Sequence, residues 1–491
     1  MPSALYSLSY EPNTDWSRVL PTNAEIERYL LKVAKKYDLL TKMSFSTDVK
    51  ECQWDADRCR WRILVRDLAN GLDLIHECTI LFSAAGQLVY PRDLGIPGQE
   101  TFSGDIFHSA RWHRQVTLDD KDVVVIGNGC TATQIVPSIV SRVKSLTQVV
   151  RSKHWVFPPI DQPYPSWLRW VFRNVPFALR LHRLQIFLMA EREFPTFPNT
   201  PAAAALRAKR RVAVERYMRQ TAPAKYHDLL IPDFEVGCKR RIFDTGYLAS
   251  LHAPKVTLTD AKILSIVPEG LQTTDGIIKA DIIILANGFK TNEFISPMVV
   301  KGVENETLTE HWAKAGGPEA YNCSVLHGFP NFFMLLGPNA ATGHTSAVMA
   351  SENMVNYALR VAAPVLQGLA STVEIHNSAE QEYSRNVQSA LQNTVWNTGC
   401  QSWYVKKDDE TGAPWNAMSY PWSQAHFWYR SLFPIWQDWK IAVTRSHPCS
   451  AIETNKRFKG RTSHSYHQIV PPLMLLAVCA LLHSSVLPII S

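Results

Sequence analysis

The residues with the clearest chemical meaning are 122–134, which read D-V-V-V-I-G-N-G-C-T-A-T-Q. The apolar β-branched run at 123–126 predicts a strand that is buried on both faces of a parallel sheet. Gly127 and Gly129 then allow a tight turn in which the backbone approaches a ligand, and Ala132 permits close packing of the next helix. Because helix N-termini attract anions, this pattern predicts a nucleotide-phosphate site.

Arg151 follows the next apolar segment directly, in the stretch Q-V-V-R-S-K. At this strand end of a dinucleotide site an acid would accept a hydrogen bond from the ribose 2′-hydroxyl, whereas an arginine would pair with a 2′-phosphate. Arg151 therefore favours NADPH over NADH. The alternative interpretation is a solvated strand end that carries Arg151 and Lys153.

Composition restricts the class of protein. The 491 residues suffice for two or three domains, and the net charge of +7 is spread out apart from R-A-K-R-R at 207–211. This short run is typical of a solvated helix face, so we expect no nucleic-acid partner. The nine cysteines show no C-x-x-C pair and no metal-type spacing with histidine. We therefore expect reduced thiols, a cytoplasmic protein and no metal site.

The two ends of the chain differ in character. Residues 1–13 have neither a basic leader nor an apolar core, which argues against a secretory signal. Residues 469–490 are almost entirely apolar and follow four basic residues within 456–461, a pattern that suits a membrane-spanning helix. Three prolines and the H-S-S sequence at 483–485 weaken that interpretation. Membrane contact through this tail and an irregular tail remain as alternatives.

The elements that must position these residues follow from hydrophobic periodicity. Helical spacing occurs at 25–37, and helical stretches at 167–192 and 203–220 form an insertion rich in Pro, Trp and Arg. Strand-like segments occur at 45–49, 60–65, 78–84, 256–264, 281–286 and 332–336. Strands that alternate with helices predict an α/β fold with parallel sheets.

Residues 102–112 read F-S-G-D-I-F-H-S-A-R-W and match F-x-G-x-x-x-H-x-x-x-W, the fingerprint of Baeyer-Villiger monooxygenases. The chain resembles that family in order, from Tyr6 to roughly residue 430. Further matches are P-G at 97–98, G-C-K-R at 237–240, A-N-G-F at 286–289, L-G-P-N at 336–339, G-H at 343–344 and G-C-Q-S-W-Y at 399–404.

The resemblance implies two dinucleotide-binding Rossmann-like domains, one for FAD and one for NADPH. It also implies a monooxygenase that uses O₂ to insert one oxygen atom next to a ketone carbonyl, giving an ester or lactone. The implied substrate is a polyketide or aromatic ketone of fungal secondary metabolism, similar to the aflatoxin-type pathway. A flavin N- or S-oxygenase and a catalytically silent NADPH-binding protein are the alternatives. The oligomeric state stays open.

The resemblance assigns the catalytic role to Arg240, whose guanidinium would stabilise negative charge beside the flavin. Arg241 is the competing candidate, and a structural ion pair is the alternative for either arginine. His108 and Trp112 would belong to the linker between the two domains. The expected cofactor-binding residues are Tyr6, Val49, His108, Trp112, Gly127, Asn128, Gly129, Cys130, Thr131, Ala132, Gln134, Arg151, Ser152 and Asn339.

The family begins with a strand and a G-x-G-x-x-G turn that holds the FAD pyrophosphate, and this sequence has no such turn before Gly127. The acid that would partner Arg240 would lie just upstream of Met1. We therefore expect a start at an internal methionine, with loss of the FAD site as the alternative. The expected organisation is an incomplete FAD domain at 1–114, NADPH-domain parts at 115–160 and 231–290 around an insertion at 161–230, an FAD and substrate region at 291–450, and a tail at 451–491.

Overall fold

The computed structural model of the chain describes residues 2–400, 402–407, 412 and 414–443. Within these residues the α-helices are α1 (Asn23–Lys36), α2 (Ala132–Ile139), α3 (Ser166–Asn174), α4 (Ala178–Glu191), α5 (Pro201–Thr221), α6 (His227–Leu230), α7 (Tyr247–Ser250), α8 (Leu308–Ala315), α9 (Ala347–Leu366), α10 (Asn377–Gln392) and α11 (Gln424–Leu432).

The strands in the same residues are β1 (Thr47–Asp55), β2 (Arg60–Asp67), β3 (Asp73–Cys78), β4 (Leu81–Ser83), β5 (Asp105–His108), β6 (Asp122–Ile126), β7 (Ser145–Val149), β8 (Val156–Phe157), β9 (Ile242–Phe243), β10 (Val256–Thr259), β11 (Ile263–Val267), β12 (Gly270–Thr273), β13 (Gly276–Lys279), β14 (Ile282–Leu285), β15 (Val299–Lys301), β16 (Phe332–Met334), β17 (Ala370–Ile375), β18 (Lys406–Lys407), β19 (Pro414–Trp415) and β20 (Trp439–Val443). Helices and strands are mixed along the chain, so the predicted α/β class is confirmed.

The predicted strand at 122–126 is the middle of a five-stranded parallel sheet with the order β10-β7-β6-β14-β5. Alternate residues of β6 point to opposite faces of this sheet. Val123 and Val125 pack in the core formed with α2, α5 and α7, whereas Val124 and Ile126 pack against the antiparallel β11-β12-β13 meander. Burial on both faces explains the unbroken apolar run and confirms that prediction.

A second unit contains the parallel pair β4-β16 and the antiparallel meander β1-β2-β3, which β15 extends in parallel at the β1 edge. Trp61 of β2 is fully buried in its core, and its indole nitrogen donates to the Pro330 carbonyl oxygen at 2.9 Å. Phe332 of β16 packs on Trp61 with 5.6 Å between the ring centroids.

The helical insertion is closed at its base by the parallel pairing of β8 with β9. The predicted helical stretch at 167–192 is divided into α3 and α4 because Pro176 disfavours helical geometry at Val175. Phe177 then adopts a left-handed conformation with φ of +64° before α4 begins.

The pair Cys238 and Cys400 contradicts the expectation of reduced thiols. Cys238 and Cys400 form a disulfide with 6.2 Å between their Cα atoms, a spacing within the range that a disulfide can bridge. The two residues are 162 positions apart, so only the tertiary fold brings them together. Cys52, Cys78, Cys130 and Cys323 are free thiols.

No helix in the described part of the chain is both long and apolar enough to cross a membrane. The apolar segment 469–490 lies outside the described residues.

Candidate active site

The two glycines of the turn after β6 are required for different reasons. Gly127 has a φ of +118°, and a Cβ atom there would lie 2.4 Å from the carbonyl oxygen of Ala286 at the end of β14. At Gly129 a Cβ atom would meet no atom within 4 Å. Gly127 is therefore required by the packing of the fold. Gly129 instead leaves open space above the backbone at the N-terminus of α2, where a ligand can approach.

The turn is held in place by side chains whose role the sequence analysis missed. The amide nitrogen of Gln148 donates to the Gly127 carbonyl oxygen at 2.9 Å, and the Tyr247 hydroxyl donates to the Gln148 amide oxygen at 2.9 Å. The Asn128 amide nitrogen donates to the Ser152 carbonyl oxygen at 2.5 Å. The available signal was a glutamine within the apolar stretch that forms β7, and in the structure this glutamine is fully buried.

The remaining residues of the turn have distinct environments. Ala132 is fully buried at the start of α2, as close helix packing requires, and Thr131 and Cys130 are half-buried beside it. Gln134 is exposed, and its amide nitrogen donates to the Cys130 carbonyl oxygen at 2.9 Å. The structure thus brings residues 127–134 together around the N-terminus of α2.

Cationic side chains meet at the end of β7. Arg151 is exposed and has no ion-pair partner among the described residues. Lys239 is buried, with its ammonium group 4.7 Å from the Phe234 ring centroid and 3.4 Å from the Lys153 carbonyl oxygen. Burial, and then the charge of Arg151, lower the pKa of Lys239. Two cations close enough to repel each other suit a doubly charged phosphate, and the sequence analysis missed Lys239.

His108 joins two segments between the nucleotide-binding units. Its Nδ1 accepts from the Ala110 N–H at 3.1 Å, so its Nε2 carries the proton and donates to the Gly288 carbonyl oxygen at 3.1 Å. Burial lowers the pKa of His108, which agrees with a neutral ring. Trp112 lies apart from this contact, since it is 36% exposed and packs edge-on against Phe107.

Arg240 and Arg241 are neighbours in sequence with opposite surroundings. Arg241 is paired with Glu193 at 2.5 Å, and Arg210 binds the same carboxylate. Among the described residues no carboxylate pairs with Arg240. The ion-pair alternative therefore describes Arg241 and not Arg240.

Arg240 is exposed to solvent, yet it lies among densely packed groups. Burial is the largest influence and lowers its pKa, but Cys130, Tyr404 and Tyr6 together raise the pKa above its ordinary value. Tyr404 is buried, and burial raises its pKa to about 12, so the phenol is neutral at physiological pH. Arg240 is thus an exposed residue whose charged guanidinium is flanked by the dinucleotide turn and two tyrosines.

Val49 lines a cavity of about 340 Å³ in the second unit. Its walls come from β1, from residues 81–90 at the end of β4 and from residues 290–298, with Phe332 at the base. Gly86 has a φ of +78°, and a Cβ atom there would meet nothing within 4 Å. The cavity offers mostly apolar walls and an accessible backbone, which suit a planar base and its sugar.

Asn339 does not face this cavity. It has a left-handed φ of +61°, and its amide nitrogen donates to the carbonyl oxygens of Asn416 at 2.7 Å and Ser419 at 3.1 Å. Its buried side chain therefore fixes the segment 416–419. A direct contact between Asn339 and a cofactor stays a prediction.

The geometry and charge of these sites suit two dinucleotides. The open space above Gly129 and the cations at Arg151 and Lys239 suit a phosphorylated dinucleotide. The cavity beside Val49 suits part of a second nucleotide. Arg240 lies near Tyr6 and the dinucleotide turn, where a fixed positive charge can stabilise an oxyanion.

Comparisons with known proteins find relatives among flavin-dependent monooxygenases. Residues 9–186 match the family model "Flavin-binding monooxygenase-like". A Baeyer-Villiger monooxygenase from Streptomyces coelicolor is 31% identical over 424 residues, which cover 84% of this chain and 79% of that protein. The FAD-binding monooxygenase ktnD from Aspergillus niger is 32% identical over 424 residues, covering 83% of this chain and 68% of that protein.

The fold is similar to that of solved structures. An oxidised steroid monooxygenase bound to NADP superposes with a TM-score of 0.76 at 25% identity, and the match covers 90% of each chain. Cyclohexanone monooxygenase from a Rhodococcus species, bound to NADP⁺, gives a TM-score of 0.77 at 20% identity, again over 90% of each chain.

Proposed function

The chain belongs to the Baeyer-Villiger monooxygenase family of flavin enzymes, and from this we propose that it oxidises a polyketide or aromatic ketone to an ester or lactone. It is an FAD- and NADP-dependent monooxygenase, as its relatives are. The proposed substrate class rests on the similarity to fungal monooxygenases such as ktnD. The catalytically silent alternative gains no support from these relatives.

Each bound cofactor would have residues of this chain to hold it. The turn 127–134 would bind the NADPH pyrophosphate through backbone N–H groups, and Arg151, Ser152 and Lys239 would bind the 2′-phosphate. Tyr6 and Val49 would contact FAD. When bound, NADPH supplies the hydride that reduces the flavin, and the reduced flavin supplies the activation of O₂.

The observation that carries the proposal is that Arg240 is an exposed residue with no carboxylate partner among the described residues, flanked by Cys130, Tyr404 and Tyr6. When oxygen adds to a ketone carbonyl, negative charge develops on the substrate oxygen. A fixed cation with several N–H donors lowers the energy of that charge without reorganising. The neighbouring Arg241 would not serve, because Glu193 already neutralises it.

The test is to replace Arg240 with Ala and with Lys in the holoenzyme. We expect Arg240→Ala to keep flavin reduction by NADPH while ester formation falls about 100- to 1,000-fold, the loss typical for one oxyanion donor. Arg240→Lys should recover part of the yield because it keeps the charge. Stopped-flow absorbance follows reduction, and mass spectrometry with ¹⁸O₂ follows the product. Unchanged ester formation in Arg240→Ala would remove this residue from the mechanism.

A substrate panel separates ketone oxidation from the flavin N- or S-oxygenase alternative. We expect aromatic and polycyclic ketones to increase NADPH consumption together with oxygen incorporation. Amines and thioethers should yield no oxide. Oxide formation without ester formation would instead favour the N- or S-oxygenase.

We propose a cytoplasmic location, with membrane contact through 469–490 as a separate proposal. Sedimentation of the full chain with vesicles of phosphatidylcholine and phosphatidylserine tests the contact, and a chain ending at Val443 is the control. Equal sedimentation of both chains would contradict membrane contact through the tail.

A further inference from the structure

The Cys238–Cys400 disulfide joins the segment that leads to Arg240 with the segment that leads to Tyr404. Cys238 lies two residues before Arg240, and Cys400 lies four residues before Tyr404. Tyr404 is one of the groups that raise the pKa of Arg240. The bond therefore connects two sides of the candidate active site covalently.

We propose that Cys238–Cys400 is a reversible redox site, whose dithiol and disulfide states set how firmly the described residues 398–400 and 402–406 are held near Arg240. The effect on turnover rests on the proposed function. The thiol chemistry and its effect on the segment are independent of the proposed function.

The two sulfurs differ in solvent exposure, and this difference determines which sulfur a reductant attacks. Cys400 is half-buried, whereas Cys238 is fully buried. The thiolate of an external dithiol would attack Cys400 Sγ, the S–S bond would break, and its electron pair would leave on Cys238 Sγ. The second thiol of the reductant would then release Cys400 and form the oxidised reductant.

The buried leaving group has a hydrogen-bond donor in place. Thr398 Oγ1 lies 3.5 Å from Cys238 Sγ and 2.7 Å from the Val395 carbonyl oxygen, so its single proton would turn from the carbonyl to Sγ as the thiolate forms. A donor beside a developing thiolate stabilises it, and a better leaving thiolate speeds exchange. Reoxidation by hydrogen peroxide or glutathione disulfide returns the bond, with two water molecules or two glutathione thiols as the other products.

The other attachments explain which part of the segment would respond. The Val395 N–H donates to the Phe197 carbonyl oxygen at 2.7 Å, and the Trp396 ring lies 4.9 Å from the Phe197 ring. These contacts hold residues 395–397 without the disulfide. The next residues differ, because Gly399 has a left-handed φ of +93° and Cys400 attaches the chain covalently to Cys238. Reduction should therefore loosen 398–400 and 402–406 more than 395–397.

The free cysteines provide an internal contrast. Burial raises the pKa of Cys78 and raises that of Cys52 to about 12, so both thiols react slowly as nucleophiles. Cys78 is half-buried, as Cys400 is. It is therefore a suitable control for sulfur accessibility without a disulfide.

The first experiment measures the bond directly. The holoenzyme is equilibrated in dithiothreitol buffers of graded redox poise, alkylated with iodoacetamide and analysed by mass spectrometry. We expect Cys238 and Cys400 to become labelled together and reversibly, while Cys78 labelling does not depend on redox poise. A bond that resists reduction until the protein unfolds, or a pair that labels under all oxidising conditions, would overturn the proposal.

Two threonine variants test the leaving-group argument. Thr398→Val should slow reduction several-fold because it removes the hydroxyl that faces Cys238 Sγ. Thr394→Val is the matched control, since the Thr394 hydroxyl donates to the Leu391 carbonyl oxygen at 2.7 Å instead. Equal reduction rates in the wild type and Thr398→Val would contradict the assigned direction of attack.

Hydrogen exchange and product yield test whether reduction of the disulfide loosens the segment that carries Cys400 and Tyr404. We expect faster amide exchange in 398–400 and 402–406 for the reduced protein and for Cys400→Ser, with less ester formed per NADPH consumed. Cys78→Ser should match the wild type in both assays. Unchanged exchange on reduction would overturn the proposal even if ketone oxidation is confirmed. Reversible labelling with altered exchange would support it even if the substrate class proves wrong.

Discussion

The turn at Gly127 and the surroundings of Arg240 present their functional groups in opposite ways. The turn uses backbone atoms held between adjacent parallel strands, and its supporting residue Gln148 comes from the next strand. Arg240 is an exposed residue whose side chain is flanked by Tyr6, Cys130 and Tyr404 from three distant parts of the chain. The turn thus depends on the geometry of one sheet, whereas Arg240 depends on the packing of several segments.

The two sites are therefore disrupted by different kinds of substitution. A backbone site fails when a side chain is added where the backbone needs room. A side-chain site fails when a partner is removed or a distant segment moves. Substitutions at the glycines and at the arginines therefore separate the two kinds of site.

The largest effect on stability should come from Gly127→Ala. The new Cβ would face the Ala286 carbonyl oxygen at 2.4 Å in a backbone conformation with φ of +118°. We expect the free energy of unfolding to fall by about 3 kcal/mol or more. Urea unfolding measures it, with Gly129→Ala as the control that should weaken NADPH binding and leave stability nearly unchanged. Equal stability losses in both variants would contradict the distinct roles of the glycines.

Arg241→Met should destabilise the fold by about 2 kcal/mol. It removes one of two arginines from Glu193 in a half-buried ion pair, and Arg210 keeps the carboxylate partly compensated. Arg240→Met should have little effect on stability because no carboxylate in the described residues depends on it. Urea midpoints and ester yields of both variants provide the comparison. If Arg241→Met lost ester formation at full stability, the assignment of the two arginines would be reversed.

Arg151→Ala should weaken NADPH binding by about 1.5 to 3 kcal/mol, the range for a lost charged hydrogen bond. Affinity for NADH should stay nearly constant because NADH lacks the 2′-phosphate. Isothermal titration measures both. Arg142→Ala is the control, since Arg142 is exposed and paired with Asp119 at 2.8 Å. Equal losses for NADH and NADPH would exclude the phosphate role.

The smallest effect should come from Tyr247→Phe, which removes the donor to Gln148. We expect a loss of about 1 kcal/mol in the free energy of unfolding and a modest rise in the Kd for NADPH. Tyr226→Phe, which removes a donor to the Val256 carbonyl oxygen at 3.1 Å, is the matched control for stability. If both variants bound NADPH equally well, Gln148 would not orient the turn.

The β6 strand and its glycine turn were predictable because their pattern is local. Hydrophobic periodicity reports which residues are buried, and the turn follows the strand directly. The ordered match from Tyr6 to roughly residue 430, with the fingerprint at 102–112, identified the family, which its relatives confirm. The assignments of the cofactor-binding residues remain predictions.

Other features required the tertiary fold. Glu193 lies in the helical insertion, and no local pattern relates it to Arg241. The same applies to Lys239 beside Arg151 and to Cys400 opposite Cys238. Each of these contacts joins residues that are far apart in sequence, so spacing alone could not identify the partners. The expectation of reduced thiols was wrong for the bonded pair for this reason.

The short pairing of β8 with β9 has a consequence for the history of the protein. It fixes the two ends of the helical insertion side by side, so chain can be added or removed between them without stretching the central sheet. Because loop closure costs little extra free energy as a loop grows, the insertion can vary in length among descendants of one ancestor. Exchange of this helical insertion between relatives would then change substrate preference while the dinucleotide-binding sheet stays the same.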